Sequence, residues 1–358
     1  MTTIPIQSEH SITFPKKSLL GKYCLSPFVM IEIDIDGGVR LCGCGAWMPA
    51  IIGNLTVNTL EEILSSPLAK KIRQSIIDGT YQYCNEQHCG VMANGQLNTI
   101  DTMPNNVKQL ITDSNLFEIP HWISIQGDDV CNLSCPSCRT SVIKPRPSET
   151  KKREQLGKTI TENLFSQPTD KKIVMHISGS GEVFASPLLM NLLSTINLNH
   201  LPNFQLHIQS NGLMAKKNWH KISHLEPSIQ QVLISIDAAT AETYQVVRRG
   251  GTWKQLTSAM KFLQKKKHEL GFDFRTRMVV QNRNYQEIQQ FYDFCKSYDV
   301  DRIEYSKITN WGTWSKREFK EHDVFDLSHP NYAIVKEEIF TVQKLPGVWC
   351  QGIFDVAN

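Results

Sequence analysis

From Trp122 onward the chain alternates short β-branched runs with helical stretches, and that rhythm leaves few folds open. "WISIQ" (122–126) precedes a helical stretch near 150–165, and "KIVMHIS" (172–178) precedes another from about 186. "FQLHIQS" (204–210), "QVLISID" (231–237), "FRTRMVVQ" (274–281) and "DRIEYSKI" (301–308) continue the series. The helices between them are expected from about 216, in one long run through about 267, and over 285–298. Six strands with helices between them predict a parallel α/β sheet with right-handed crossovers. Such sheets carry their functional groups at the C-terminal ends of the strands. The last fifty residues read as one helix and a strand-like tail that pack on this unit.

The chain before residue 105 has a different texture and holds five of the ten cysteines. "FVMIEIDIDGGVRLC" (Phe28–Cys42) alternates like a strand, turns at Asp36-Gly37-Gly38 and resumes, which is a hairpin signal. Thr59–Gly79 has helical spacing, with Thr59 as N-cap, Glu62 three residues on and Gly79 at the stop. "MPNN" (Met103–Asn106) reads as the start of a linker. The expected organisation is a small α+β domain over 1–105, the α/β domain over 106–318 and an extension over 319–358.

Composition narrows the partners. The formal net charge is +3, and the densest basic run, "QKKKH" (Gln264–His268), falls at a helix C-terminus where cations complement the dipole. That argues against a nucleic-acid partner. No apolar run approaches the ~18 residues of a membrane span. "MTTIPIQSEHSITFPKK" lacks the apolar core of a secretory signal. The expectation is a cytoplasmic chain that meets no membrane, with its cysteines reduced. They then read as metal ligands or core residues rather than disulfides.

"CNLSCPSCR" (Cys131–Arg139) sets three cysteines at C-x3-C-x2-C just past the first strand of the α/β series. Three thiolates on one short loop suit three irons of a [4Fe–4S] cube and leave the fourth iron open for a ligand. Zinc with a distant fourth ligand, or three unmodified thiols, also fits the spacing.

That loop, placed after the first strand of a six-fold βα chain, resembles the radical S-adenosylmethionine (radical SAM) superfamily. "SGSGEVF" (Ser178–Phe184) is similar to its Gly-Gly-Glu segment, with Gly181 and Glu182 at the matching positions and Ser180 in the first glycine slot. "QSNGLM" (Gln209–Met214), with Ser210, is close to a common "TNG" pattern. "ISIDAATAETYQVVRRGG" (Ile234–Gly251) resembles the "SxDG…R" run of radical SAM enzymes with SPASM or twitch auxiliary domains. The resemblance implies that Glu182 accepts from the methionyl ammonium of S-adenosylmethionine (SAM). It further implies that Ser235 contacts the ribose or methionine portion and Arg248 the carboxylate. Arg249 is an equally good candidate by chemistry, since an Arg fork grips a carboxylate bidentately. Ser137 departs from the family, which often has an aromatic ring before the third cysteine.

Cys24, Cys42, Cys84 and Cys89 form a C-x17-C-x41-C-x4-C set that one closed [4Fe–4S] cluster or a structural zinc would accept, with Cys44 left over. "GNL", "LEEI" and the closing cysteine pair resemble a SPASM/twitch auxiliary domain, here ahead of the barrel rather than after it. His88 is more readily an exposed loop histidine than a ligand. Cys295 and Cys350 read as core, and Trp311 and Trp314 as packing at the rim.

Together the resemblance implies a partial (β/α)6 TIM-like barrel with a small N-terminal α+β iron–sulfur domain, binding two [4Fe–4S] clusters and SAM. It implies reductive cleavage of SAM to a 5′-deoxyadenosyl radical, which abstracts hydrogen from a ribosomal peptide or protein. It also implies a reducing partner such as flavodoxin or ferredoxin, and leaves room for a peptide-recognition partner protein. A sugar or other small metabolite is the alternative substrate. A non-enzymatic iron–sulfur carrier or zinc-binding interaction protein is the alternative class, though neither has a use for the SAM motifs.

Overall fold

A computed structural model describes residues 18–86, 89–93, 95–103, 105–112, 120–178 and 180–351, so that His88 lies outside the described residues. The chain divides into two compact units, Met1–Ser124 and Ile125–Asn358.

The first unit starts with α1 (Ser26–Val29), followed by β1 (Met30–Ile33), β2 (Gly38–Arg40) and β3 (Gly53–Asn54). The three strands pair antiparallel in that order. The first strand is shorter than its alternation suggests, because Pro27 in the first turn of α1 favours a helical start. At the hairpin, the Asp34 carboxylate accepts the N–H groups of Asp36 (3.0 Å) and Gly38 (2.8 Å). The single helix expected over 59–79 is two helices, α2 (Leu60–Leu64) and α3 (Pro67–Ile77). Pro67 cannot continue the ladder, and Ser66 caps a new helix by accepting from Ala69 N. The Thr59–Glu62 capping box forms as read. Buried Arg73 donates to the carbonyls of Pro27 and Leu64, joining α3 to the segments before it. Two further helices follow, α4 (Gly90–Ala93) and α5 (Asn105–Thr112), the latter beginning inside the stretch read as a linker.

β4 (Trp122–Ile125) crosses the division between the units. The second unit continues with α6 (Pro147–Leu164), β5 (Ile173–Ile177), α7 (Pro187–Thr195) and β6 (Phe204–Ser210). Then come α8 (Ala215–Asn218), β7 (Ile229–Ser235), α9 (Ala241–Val247) and α10 (Trp253–Leu270). β8 (Asp273–Val280), α11 (Ile288–Lys296) and β9 (Arg302–Lys307) complete the six strands read from the sequence. β5 to β9 pair in parallel, each with the next, as a partial (β/α) barrel requires.

Two readings are corrected here. The long helix expected through 267 is broken at Arg248–Gly251, where Gly250 takes φ +100°, before the Thr252–Gln255 capping box opens α10. The C-terminal stretch holds two helices, α12 (Lys316–His322) and α13 (Tyr332–Val342), and its tail is β10 (Val348–Gln351), paired parallel to β9.

The two faces of this sheet differ. Phe274, Thr276, Met278 and Val280 of β8 and Ile303 and Tyr305 of β9 are buried, and Tyr305 and Thr276 bond to Ile288 and Cys295 of α11. Cys295 is therefore a core residue, as read. The opposite face carries polar residues, Gln205, His207 and Gln209 on β6, Arg275 and Arg277 on β8, and Glu304 on β9, among apolar ones such as Val174, Leu233 and Val279. Among the described residues no helix is long and apolar enough to cross a membrane.

Candidate metal centre

Cys131, Cys135 and Cys138 stand on the loop between β4 and α6. Cys131 N donates to Ile143 O (3.0 Å), closing the loop at its base. Cys138 N and Arg139 N both donate to Cys135 O (2.9 and 3.0 Å), so the chain turns sharply and returns the third thiol toward the second. Two arginines hold this turn. Arg139 donates to Asp129 O, to Ser180 O and to Cys138 Sγ. Arg249 accepts Ser134 N through its carbonyl (2.9 Å) and donates to Ser134 Oγ and Thr140 O (3.1 Å each). Arg249, a candidate SAM ligand by chemistry alone, is thus committed to bracing the cysteine loop.

Cys131 and Cys135 are buried and Cys138 is exposed. Burial pushes the Cys131 thiol up to about 11, against the Leu133 N–H that donates to its sulfur. Burial also raises Cys135, against Arg248, whose Nη1 lies 3.9 Å from the sulfur. Thiols held this high become thiolates when a cationic centre binds them, which is what iron supplies.

The segments that follow β5, β6 and β7 meet this loop. At Gly181 a Cβ would stand 2.4 Å from Val130 O, so only glycine allows the backbone this close to the residue before Cys131. Glu182 N then donates to Val130 O (2.8 Å). The buried Glu182 carboxylate accepts from Ser210 Oγ and Phe184 N through one oxygen, and from Asn211 N (2.6 Å) through the other. Burial raises its pKa, against those donors. Asn211 also reaches Asn132, between the first two cysteines, at 2.9 Å. Ser210 therefore serves Glu182. Ser235 ends β7 half-buried, and its hydroxyl makes no hydrogen bond among the described residues.

Arg248 sits at the end of α9 and pairs with Asp237 Oδ2 at 2.8 Å, while Asp237 Oδ1 accepts Val279 N. Burial would lower the guanidinium, but Asp237 and then Cys135 raise it above its ordinary value. Its Nε and the hydroxyl of Tyr244, one turn earlier, are buried without a hydrogen-bond partner. Asp237 (φ +62°) is the aspartate of the "SxDG…R" match, to which no role was given, and Tyr244 was missed because a tyrosine inside a helix reads as core.

The polar face of the sheet adds a histidine pair. His176 of β5 and His207 of β6 are register partners. Burial first, then neighbouring cations and, for His176, His207 itself, hold both near 4, so both are neutral. Beside them Arg277 pairs with Glu304 at 2.6 Å.

In the first unit, Cys42, Cys84 and Cys89 are buried and Cys24 is partly so. Burial raises the Cys42 thiol, and Cys24, Cys89 and Cys84 are all near enough to raise it further. Leu19 N–Gly79 O and Tyr23–Asn98 pairing bring the N-terminal cysteine there, and buried Tyr81 stands beside Cys24, Cys84 and Cys89. Cys44 faces Glu32 and Arg40 instead. Among the described residues no three His, Cys, Asp or Glu gather to hold a single metal ion. A cube binds each thiolate to a different iron, so its ligands need only surround a common volume.

Comparison with known proteins agrees with this division. A family model described as Radical SAM superfamily matches residues 128–295, and one described as Iron-sulfur cluster-binding domain (SPASM) matches residues 24–90. No curated protein matches the chain in sequence. Among solved structures the chain is similar to SuiB of Streptococcus suis, at 18% identity over 79% of this chain and 61% of that one, with a TM-score of 0.44. SuiB bound to precursor peptide SuiA matches at 16% identity, over 91% of this chain and 72% of that one, with a TM-score of 0.43. Native anSMEcpe with bound AdoMet matches at 17% identity over 63% of each chain, with a TM-score of 0.41. The chain thus spans about three fifths of the first of these.

Proposed function

We propose that this protein, a radical SAM superfamily member whose SPASM domain precedes the barrel, uses SAM to abstract hydrogen from a peptide or protein. The observation that carries the reading is the braced loop of three cysteines with Glu182 N bonded to the carbonyl just before Cys131 and Arg248 beside Cys135, from two other βα segments. Cys131, Cys135 and Cys138 would hold a [4Fe–4S] cluster with one iron free for SAM, and Cys24, Cys42, Cys84 and Cys89 a second, closed one. Once bound and reduced, the first cluster would supply the electron that breaks the sulfonium C–S bond of SAM and yields the 5′-deoxyadenosyl radical.

The chain's own share is placement. Glu182 keeps acceptor capacity beyond its three internal donors, enough for the methionyl ammonium. The free Ser235 hydroxyl suits a ribose or methionine oxygen. Arg248, held by Asp237, keeps positive charge beside Cys135 and toward the SAM carboxylate. Leu133 and Leu213 pack about Cys131 and Cys135 and exclude water there. The SPASM domain supports a peptide or protein substrate, and reduction would come from a flavodoxin- or ferredoxin-type partner. Neutral His176 and His207 and the Arg277–Glu304 pair give the substrate side of the sheet a polar lining.

The test is anaerobic reconstitution with iron and sulfide, then dithionite and SAM. About eight irons per chain are expected, with 5′-deoxyadenosine formed by the native protein and none by Cys135→Ala. A fully loaded protein that makes no 5′-deoxyadenosine sinks the reading. Candidate peptides deuterated at Cα or Cβ should pass deuterium into 5′-deoxyadenosine, and a sugar substrate doing so instead overturns the peptide assignment.

A further inference from the structure

Each sulfur of the cysteine loop has one donor beside it. Leu133 N lies 3.4 Å from Cys131 Sγ, Arg248 Nη1 3.9 Å from Cys135 Sγ, and Arg139 Nη2 3.4 Å from Cys138 Sγ. The three donors are not alike. Leu133 offers a neutral backbone N–H. Arg248 carries a charge that Asp237 offsets at 2.8 Å. Arg139 carries a charge that no carboxylate offsets among the described residues, since its other partners are the carbonyls of Asp129 (2.8 Å) and Ser180.

The acids nearest to it are engaged elsewhere. Arg153 pairs with the carboxylates of Asp128, Asp129 (2.7 Å) and Glu149 (2.9 Å). Asp129 therefore gives its carboxylate to Arg153 and only its carbonyl to Arg139. Arg249 donates to Ser134 Oγ and Thr140 O, and to no sulfur. Among the described residues, Arg139 is thus the guanidinium that sets an uncompensated charge on a cysteine of the loop, and that cysteine is the exposed one. The two carbonyls need donors but no charge, so bracing leaves the cation beside Cys138 unaccounted for.

We propose that Arg139 raises the reduction potential of the cluster held by Cys131, Cys135 and Cys138, by placing its uncompensated charge and an N–H on Cys138 Sγ. The proposal rests on the reading that those three cysteines hold a cluster. An added electron makes the cluster and its thiolates more negative. A cation and donor at one sulfur then stabilise the reduced state over the oxidised one. The effect is on the ease of reduction and needs no contact with SAM.

The experiment uses the full chain, reconstituted anaerobically without SAM and poised with dithionite and redox mediators. Electron paramagnetic resonance reads the reduced cluster, and the barrel signal is assigned by difference against the Cys131→Ala/Cys135→Ala/Cys138→Ala protein. At a fixed potential, Arg139→Gln should lower the ratio of reduced to oxidised barrel cluster about tenfold, or about 59 mV for one electron. Arg139→Lys, which keeps the charge but not the fork, should stay within about threefold of the native ratio. An unchanged ratio in Arg139→Gln overturns the proposal. Equal losses in the two variants also overturn it, because they assign Arg139 to loop geometry alone. Should either variant fail to take up iron, the native sequence made with arginine labelled with heavy nitrogen at the guanidinium decides. Its reduced barrel cluster should show two nitrogen couplings, the larger from Arg139 at 3.4 Å and the smaller from Arg248 at 3.9 Å. Fewer than two overturns the proposal. A native chain with no signal assignable to the three cysteines overturns the cluster reading and this proposal together.

Discussion

Gly181→Ala tests whether the cysteine loop depends on the close approach of the segment after β5. The added Cβ would stand 2.4 Å from Val130 O, 2.8 Å from Asp128 O and 2.9 Å from Asp129 C. All three are backbone atoms, so no rotamer change can relieve the contact. Overpacking of this kind costs about 1–3 kcal/mol, and moving the two loop segments apart also lengthens the 2.8 Å bond from Glu182 N to Val130 O, worth about 0.5–1.5 kcal/mol. Together these give about 2–4 kcal/mol. For a unit of this size that is roughly 4–16 °C in melting temperature. Gly127→Ala is the control, since its Cβ would meet only side-chain carbons at ordinary distances, Leu188 Cδ2 at 3.4 Å, Ile125 Cγ2 at 3.7 Å and Leu189 Cδ2 at 3.9 Å, and the change should stay within about 1 kcal/mol. Melting of the metal-free proteins by circular dichroism reads the difference. Iron content after reconstitution reads its consequence, because the displaced segment includes the Ser180 carbonyl that Arg139 grips beside Cys138. A Gly181→Ala protein that melts with the native one, or no lower than Gly127→Ala, would falsify the claim that this approach organises the loop.

Cys84→Ala should reduce iron from about eight to about four per chain, and Cys44→Ala should leave about eight; colorimetric iron analysis decides, and a loss in Cys44→Ala would reverse the assignment of the fourth ligand. His176 and His207 titrate near 4 in the folded chain, against about 6.5 unfolded. Between those values the unfolded state binds the extra protons, so the stability present above pH 6.5 is lost as pH falls toward 4. Urea midpoints at pH 7 and pH 5 should converge in His176→Asn/His207→Asn relative to native, and an equal pH loss in both proteins refutes the assignment.

The strand series was legible because each β-branched run is bounded by polar or turn residues, and all six strands lie where the alternation puts them. Helix continuity was less so. "SSPLAKK" and "VVRRGGT" both keep helical spacing of apolar residues across a break, and the break is decided by one Pro67 and by Gly250. The tail was read as strand-like, but its parallel register with Ile303–Ser306 of β9 could not be, since "VWCQ" is short and carries no pairing signal of its own. The cysteine spacings were visible, but which side chains surround them was not. Cys42 and Cys44 would share a face if β2 ran on. It ends at Arg40, and the turn beyond sends Cys44 toward Glu32 and Arg40. Asp237 and Arg139 gain their places from contacts far along the chain, with Val279 and Ser180.

The brace on the cysteine loop has a temporal consequence. Ser134 and the Arg249 that secures it are 115 residues apart in sequence. At ribosomal speeds of about 5–20 residues per second, roughly 6–23 s separate the appearance of the first ligands from that of their support. Iron delivered in that interval would meet three thiols on an unsupported strand of nascent chain. For the cluster proposed at these three cysteines, loading would therefore follow synthesis of the end of α9, as a late step of maturation.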